Sequence, residues 1–195
     1  MKTKIIYILL MLAYGCTPVM AQTKEQVIIY PGYTSYWNPA LKIPDSVIYV
    51  AKPHKKVAPR LPGFHPTGGR LNEDADYAHS GYDQGHLCNA SDENGNKIDE
   101  YNSFDQCNIY PQKPNCNRLT WLALENYVRQ LAVKYGSVRV KVYWHQIAGY
   151  MGKDKVAIPA FCDKDITYKG ITERYSMPNT DDVNKYPFTH YKIVK

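Results

Sequence analysis

Between Asn117 and Tyr135 the chain keeps a helical period, and Gly136 stops it. Trp121, Leu124, Val128 and Leu131 recur three or four positions apart, the spacing of one buried helix face. Elsewhere the composition turns away from helix. The chain carries 18 tyrosines and 13 prolines among 195 residues, a balance that suits strands and loops more than a helical bundle. The expectation is an α+β domain with a central antiparallel sheet and flanking helices. A chain of this length is most economically one domain, and it buries a substantial core without depending on disulfides or metal for its fold.

β-prone runs lie on both sides of the helix. Val27 to Tyr30 is expected to add an edge strand within a short N-terminal extension over 22–31. Tyr33 to Pro39 and Pro44 to Val50 are bracketed by prolines and read as a hairpin or meander. Val138 to Tyr143 alternates as a half-buried strand does, Val156 to Phe161 reads as another, and a last short strand is expected near Tyr191 to Val194. Lys52 to Ser80 is a long loop with no sustained apolar period, and such loops often carry function. Lys55, Lys56, Arg60 and Arg70 make it basic, which suits either a phosphate backbone or a plain solvated surface. Asp92 to Asn102 is polar and loop-like. It is not a calcium loop, because Lys97 stands where glycine is required and Ser103 where glutamate is.

Met1 to Ala21 has the parts of a signal peptide: Lys2 and Lys4, an apolar run from Ile5 to Ala13, and Val19-Met20-Ala21 as a small-residue cleavage site. The run is too short for an integral membrane span. The expected location is secreted or periplasmic; the alternative is a lipoprotein anchored at Cys16. Losing the leader removes two lysines and no acid, lowering the net charge from +6 to +4. That balance fits a phosphate-rich partner and does not require one. Cys88, Cys107, Cys116 and Cys162 remain, enough for two disulfides in any of three connectivities in an oxidising compartment. The absence of a C-x-x-C pair argues against zinc.

The candidate chemistry lies between Tyr82 and Glu125. Histidines are more often hydrogen-bonded structural residues than catalysts, and His54, His65, His79, His145 and His190 are read that way. His86 differs: Gly85 before it allows close backbone approach, and Asn108, Asn117 and Glu125 follow at intervals that a strand-loop-helix unit can converge. A histidine, two carboxamides and a carboxylate can serve phosphodiester hydrolysis, which needs a base for water and a hard divalent cation for developing charge. Asn117 and Glu125 are eight positions apart. On an ideal helix that is about 12 Å of rise and about 80° of rotation, too far for both to bind one metal directly. Helical side chains lean toward the N-terminus, so Glu125 can reach back to hold a metal-bound water. One protein ligand with retained waters suits Mg²⁺.

Asp83-Gln84-Gly85-His86, then Asn108-Ile109-Tyr110-Pro111-Gln112, then Asn117 and Trp121-x-x-Leu124-Glu125, resemble the DNA/RNA non-specific endonuclease family, the ββα-metal (His-Me finger) nucleases. The likeness extends more weakly to Asn38-Pro39 on one side and Met177-Pro178-Asn179 on the other, placing a domain of that family over 32–195. The resemblance implies a secreted, metal-dependent endonuclease that hydrolyses DNA and RNA to 5′-phosphate products, with Mg²⁺ as cofactor and Mn²⁺ as a possible substitute. It implies His86 as general base, Asn117 as the single protein ligand of the metal and Glu125 as the carboxylate orienting its water. Asn108 is implied to position the histidine-bearing strand or the metal waters. Asp83 and Gln84 fall inside the catalytic motif, and Arg60 matches an arginine that contacts phosphate, with Arg70 as its rival. Lys55 and Lys56 are further substrate-binding candidates. Because these groups face a phosphate and not a base edge or a 2′-hydroxyl, weak discrimination between sequences and between DNA and RNA is expected.

Two positions depart from the family pattern. Gln84 stands where arginine is usual, and Asn89 where proline is frequent. Cys107 and Cys116 directly precede Asn108 and Asn117, so a disulfide between them is a candidate for fixing both carboxamides. Two other readings stay open: a catalytically impaired relative that binds nucleic acid, motivated by Gln84, and a tyrosine-rich secreted binding or adhesion module. The oligomeric state is not legible.

Overall fold

The computed structural model describes residues 25–66 and 74–194. The leader, Cys16 and Arg70 lie outside the described residues.

β1 (Gln26–Ile29), β2 (Tyr33–Asn38) and β3 (Ile43–Ala51) run as an antiparallel meander, with Thr34 opposite Ile48 and a bulge between Tyr36 and Trp37. The chain then leaves the sheet for a long segment that ends in one helical turn, α1 (Asp74–Tyr77). β4 (Asp83–His86), α2 (Ala90–Glu93), α3 (Lys97–Ser103) and β5 (Ile109–Gln112) follow. A π-helical turn (Cys116–Trp121) leads into α4 (Leu122–Tyr135). The chain re-enters the sheet as a second meander, β6 (Val138–Met151), β7 (Val156–Tyr168) and β8 (Ile171–Pro178). Val47 of β3 opposes Val142 of β6, so the two meanders fuse into one six-stranded antiparallel sheet in the order β1-β2-β3-β6-β7-β8. β4 and β5 form a separate ribbon.

The amphipathic period works as its spacing requires. Trp121, Leu124 and Val128 are fully buried and Leu131 nearly so, in one core with Val47, Val140 and Val142 of the sheet. α4 packs on β3, β6 and β7. Removing one such side chain, as in Leu124→Ala, costs about 2–5 kcal/mol through lost burial and the cavity left behind. Gly136 closes the helix with φ of 85°, a left-handed conformation that only glycine adopts without strain, and donates to the Ala132 carbonyl at 2.8 Å.

Several expectations need correction. The stretch from Asp92 to Asn102 is mostly helical, because Asn89 and Asn96 act as N-caps: their side chains accept from the Ser91 N–H at 2.7 Å and the Asp99 N–H at 2.8 Å. The first six residues of the central helix are wound as a π turn, so the ideal rise and rotation between Asn117 and Glu125 do not apply. β7 runs on to Tyr168 and pairs with β8, which escaped notice because Asp163, Lys164 and Asp165 interrupt the apolar pattern. The end of the chain carries a 3₁₀ turn over Phe188–Tyr191 and a single bridge between Tyr175 and Lys192 in place of a strand.

Candidate active site

The ribbon is built for close approach. Asp83 pairs with Gln112 and His86 with Ile109. A side chain at Gly85 would collide with the Gln112 amide, which is why glycine precedes the histidine. From the end of the ribbon the chain turns directly into the helix, the Asn117 N–H donating to the Lys113 carbonyl at 2.9 Å. β5 and the helix are thus linked by a short connection, while the chain passes through α2 and α3 between β4 and β5.

β4 is tied to the helix from both ends. At its start, Asp83 Oδ2 accepts from Asn117 Nδ2 at 2.9 Å and from Arg118 Nε at 2.8 Å, while Oδ1 accepts from Arg118 Nη2 at 2.6 Å. An ionised carboxylate only accepts, so the amino group of Asn117 must face it. The carbonyl Oδ1 of Asn117 is left with no hydrogen bond to the described residues. Beyond the other end, Asn89 Nδ2 donates to Glu125 Oε2. Glu125 is buried, and burial pushes its carboxyl above the usual range, opposed by Lys164, the Asn89 hydrogen bond and Arg129 and reinforced by Asp92. Its Oε1 makes no hydrogen bond to the described residues.

His86 sits between two aromatic rings, 4.8 Å from the centroid of Phe64 and 5.0 Å from that of Phe104, the latter edge-on at 85°. Its Nε2 is buried without a hydrogen-bond partner. Burial lowers its pKa to about 3, and Arg60 adds to the effect. The imidazole is therefore neutral across the physiological range. Arg60 reaches this corner by lying 5.1 Å over the Phe104 ring. Its loop is held there by the Val57 N–H on the Asn94 carbonyl at 2.9 Å and the His65 N–H on the Phe104 carbonyl at 3.0 Å.

Asn108 is occupied on every side. Its Nδ2 donates to the carbonyls of Cys88 and Ser103, each at 2.8 Å, and its Oδ1 accepts from the Cys88 N–H at 2.8 Å. It fixes the backbone that follows His86 and has no atom to spare for water or metal. Gln84 is half-buried, opposite Pro111. Lys56 and Arg60 both face the Glu100 carboxyl, whereas Lys55 is exposed on the same loop with no contact that joins it to the site. The remaining histidines with ring hydrogen bonds have structural partners: His54 to Asn94 at 2.9 Å, His65 to the Tyr101 carbonyl at 2.8 Å and His145 to Asp163 at 2.6 Å.

Among the described residues no three His, Cys, Asp or Glu side chains converge into a metal cage. The donors left uncommitted are the Asn117 carbonyl and one Glu125 oxygen, a sparse, hard-oxygen set that fits a cation retaining most of its waters, as Mg²⁺ does. The four cysteines are buried and unlinked. The anticipated pairing of Cys107 with Cys116 is not formed: the four thiols are free, Gln112 Nε2 lies 3.8 Å from the Cys116 sulfur, and the neighbouring Cys162 of β7 together with burial pushes the Cys116 thiol up.

Sequence reasoning missed Arg118, whose position next to Asn117 was the available signal, and the two phenylalanines, which carry no signal at all. It registered Asn89 only as a departure, although that side chain holds Glu125. A hollow of about 610 Å³ lined by Tyr30, Gly32, Tyr49, His54 and Glu93 lies away from these groups.

The family model described as DNA/RNA non-specific endonuclease matches residues 16–193. Among curated proteins, the chain is 34% identical over 83 residues to a nuclease of Nostoc sp., covering 43% of this chain and 30% of that protein. It is 37% identical over 136 residues to human mitochondrial endonuclease G and 28% identical over 136 residues to the bovine protein, covering in each case 61% of this chain and 46% of the relative. The chain thus spans less than half the length of these curated relatives. Its fold matches a chain in the crystal structure of the EndoG/EndoGI complex, solved for the mechanism of EndoG inhibition, with a TM-score of 0.79 at 22% identity, covering 89% of this chain and 82% of that one.

Proposed function

The chain belongs to the DNA/RNA non-specific endonuclease family, and we propose that it is a secreted, metal-dependent endonuclease that hydrolyses phosphodiester bonds of DNA and RNA without regard to sequence. The observation that carries this reading is the trio of uncommitted polar groups on one ββα unit: the neutral His86 ring, the Asn117 carbonyl and one oxygen of Glu125.

Each group has a task. With Nε2 sealed between the phenylalanines, Nδ1 is the nitrogen through which His86 takes a proton from water as that water attacks phosphorus. A base whose pKa lies near 3 is weak for this task, and substrate offsets the lesser of the two causes, the charge of Arg60. An arriving phosphate pairs with Arg60, cancelling a charge that holds the ring deprotonated and letting its basicity rise. Asn117 Oδ1 would hold the cation, and Glu125 would orient a water on it. That cation, Mg²⁺ or Mn²⁺, supplies the charge that neutralises the phosphoryl oxygens and the departing 3′ oxygen. A 5′-phosphate product follows from a leaving 3′ oxygen. Secretion is supported by the leader read in the sequence.

Digestion of plasmid DNA and total RNA by the mature protein, with Mg²⁺ and with chelator, beside His86→Ala, tests this. Metal-dependent cleavage of both substrates that disappears in the variant is the expected result. Folded wild type that cleaves neither with any divalent metal overturns it, and salt-sensitive DNA binding would then favour the impaired relative.

A further inference from the structure

Asn89 comes shortly after His86, and its backbone is fixed from both sides. Ahead of it, the Asn108 carbonyl accepts from the Leu87 N–H at 2.8 Å, and the Asn108 side chain clamps Cys88 at its N–H and at its carbonyl. Behind it, the Asn89 carbonyl accepts from the Asp92 N–H at 2.9 Å and starts α2. The Asn89 side chain caps that helix, Oδ1 accepting from the Ser91 N–H at 2.7 Å. A backbone N–H only donates, so the cap settles which end of the amide is oxygen and which is nitrogen. The nitrogen is the end that meets Glu125.

A second contact joins the same two elements. Asp92 Oδ1 accepts from Arg129 Nη1 at 3.1 Å, and Oδ2 accepts from the Tyr49 hydroxyl of β3 at 3.1 Å. Asn89 and Asp92 are three positions apart and Glu125 and Arg129 four, so each pair lies along one side of its helical turn. Two rungs therefore hold α2 in register against α4. One is an ion pair; the other sets a neutral donor on a buried carboxylate that takes no other hydrogen bond from the described residues. Proline, frequent at this position in the family pattern, can neither cap nor donate.

Taking Glu125 as the carboxylate of the proposed hydrolysis, we propose that Asn89 is its positioning residue. By holding Oε2 from the same backbone segment that carries His86, Asn89 leaves Oε1 as the oxygen available to the cation's water and keeps base and carboxylate in one register. It touches neither substrate nor metal.

The test uses Asn89→Ser in the whole mature protein, because serine keeps an N-cap acceptor but is too short to reach Glu125. Asn89→Ala, which loses cap and donor alike, measures the structural part. In urea, Asn89→Ser is expected to unfold close to wild type and Asn89→Ala at lower denaturant. Mg²⁺ affinity by calorimetry should fall about 10–100-fold in both, and kcat of Asn89→Ser should fall with KM nearly unchanged. In Glu125→Ala, the serine change should lower Mg²⁺ affinity no further, because its effect runs through that carboxylate. A crystal structure of metal-free Asn89→Ser should show the Glu125 carboxylate displaced or in more than one rotamer. Wild-type affinity and kcat in Asn89→Ser, an equal loss of affinity with and without Glu125, or an unmoved carboxylate overturns the proposal. If Asn89→Ser does not fold, Asn89→Thr, which also caps, takes its place with the same readings. A wild type that never cleaves sinks the hydrolysis reading separately, since the metal-free structures still report whether Asn89 holds Glu125.

Discussion

Asn117 Nδ2 donates to Asp83 Oδ2 at 2.9 Å, and that one hydrogen bond sets which way the Asn117 carboxamide faces. The same carboxylate takes two hydrogen bonds from Arg118 and so cannot turn away. A residue at the start of a strand therefore fixes the free oxygen on the first turn of a helix.

Asp83→Ala is expected to leave the Asn117 amide free to rotate and to weaken Mg²⁺ binding 10–100-fold, the usual cost of removing a group that orients a metal ligand. Calorimetric titration of the purified variant checks this, and unchanged affinity would show that the carboxamide is held by other means.

Gln84→Arg should raise kcat/KM several-fold, because it returns a permanent charge and a two-pronged phosphate donor to the ribbon. Arg118→Ala should lower kcat/KM, since it removes the guanidinium that accompanies Asp83 and frees that carboxylate's net charge beside the incoming phosphate. Steady-state cleavage of a short duplex at fixed salt measures both.

His86 makes stability pH-dependent. Its ring binds a proton near pH 6.5 when unfolded and near 3 when folded, so between those values the unfolded chain holds more protons and stability falls as the solution is acidified. At two units below 6.5 the loss attributable to this residue is about 3 kcal/mol. Urea unfolding at pH 7.5 and 4.5 should show wild type losing more stability than His86→Ala by about that amount, and equal losses would place the ring in contact with water.

Oxidation should join Cys116 to Cys162, the buried thiol that most raises the Cys116 pKa, by exchange with a disulfide such as oxidised glutathione during refolding. Peptide mapping under non-reducing conditions is expected to find that link and no Cys107–Cys116 peptide.

The helix stripe, the stop at Gly136 and the glycine before His86 are local, and periodicity and spacing alone determine them, whereas the motif from Asp83 to Glu125 is legible through its resemblance to a family. Local order also places Asn117 close behind β5, because only a few residues separate them. What the sequence could not decide is how each site group is neutralised, since those partners are distant along the chain. The Phe104 ring reaches His86, Asn89 reaches Glu125, and Lys164 comes to lie over the Trp121 ring from a strand that begins beyond the helix. Burial follows from all of these packing together, and it is burial that lowers the base and raises the acid. Spacing along a chain fixes which residues can meet across one turn; only the closed core fixes the dielectric in which their charges act.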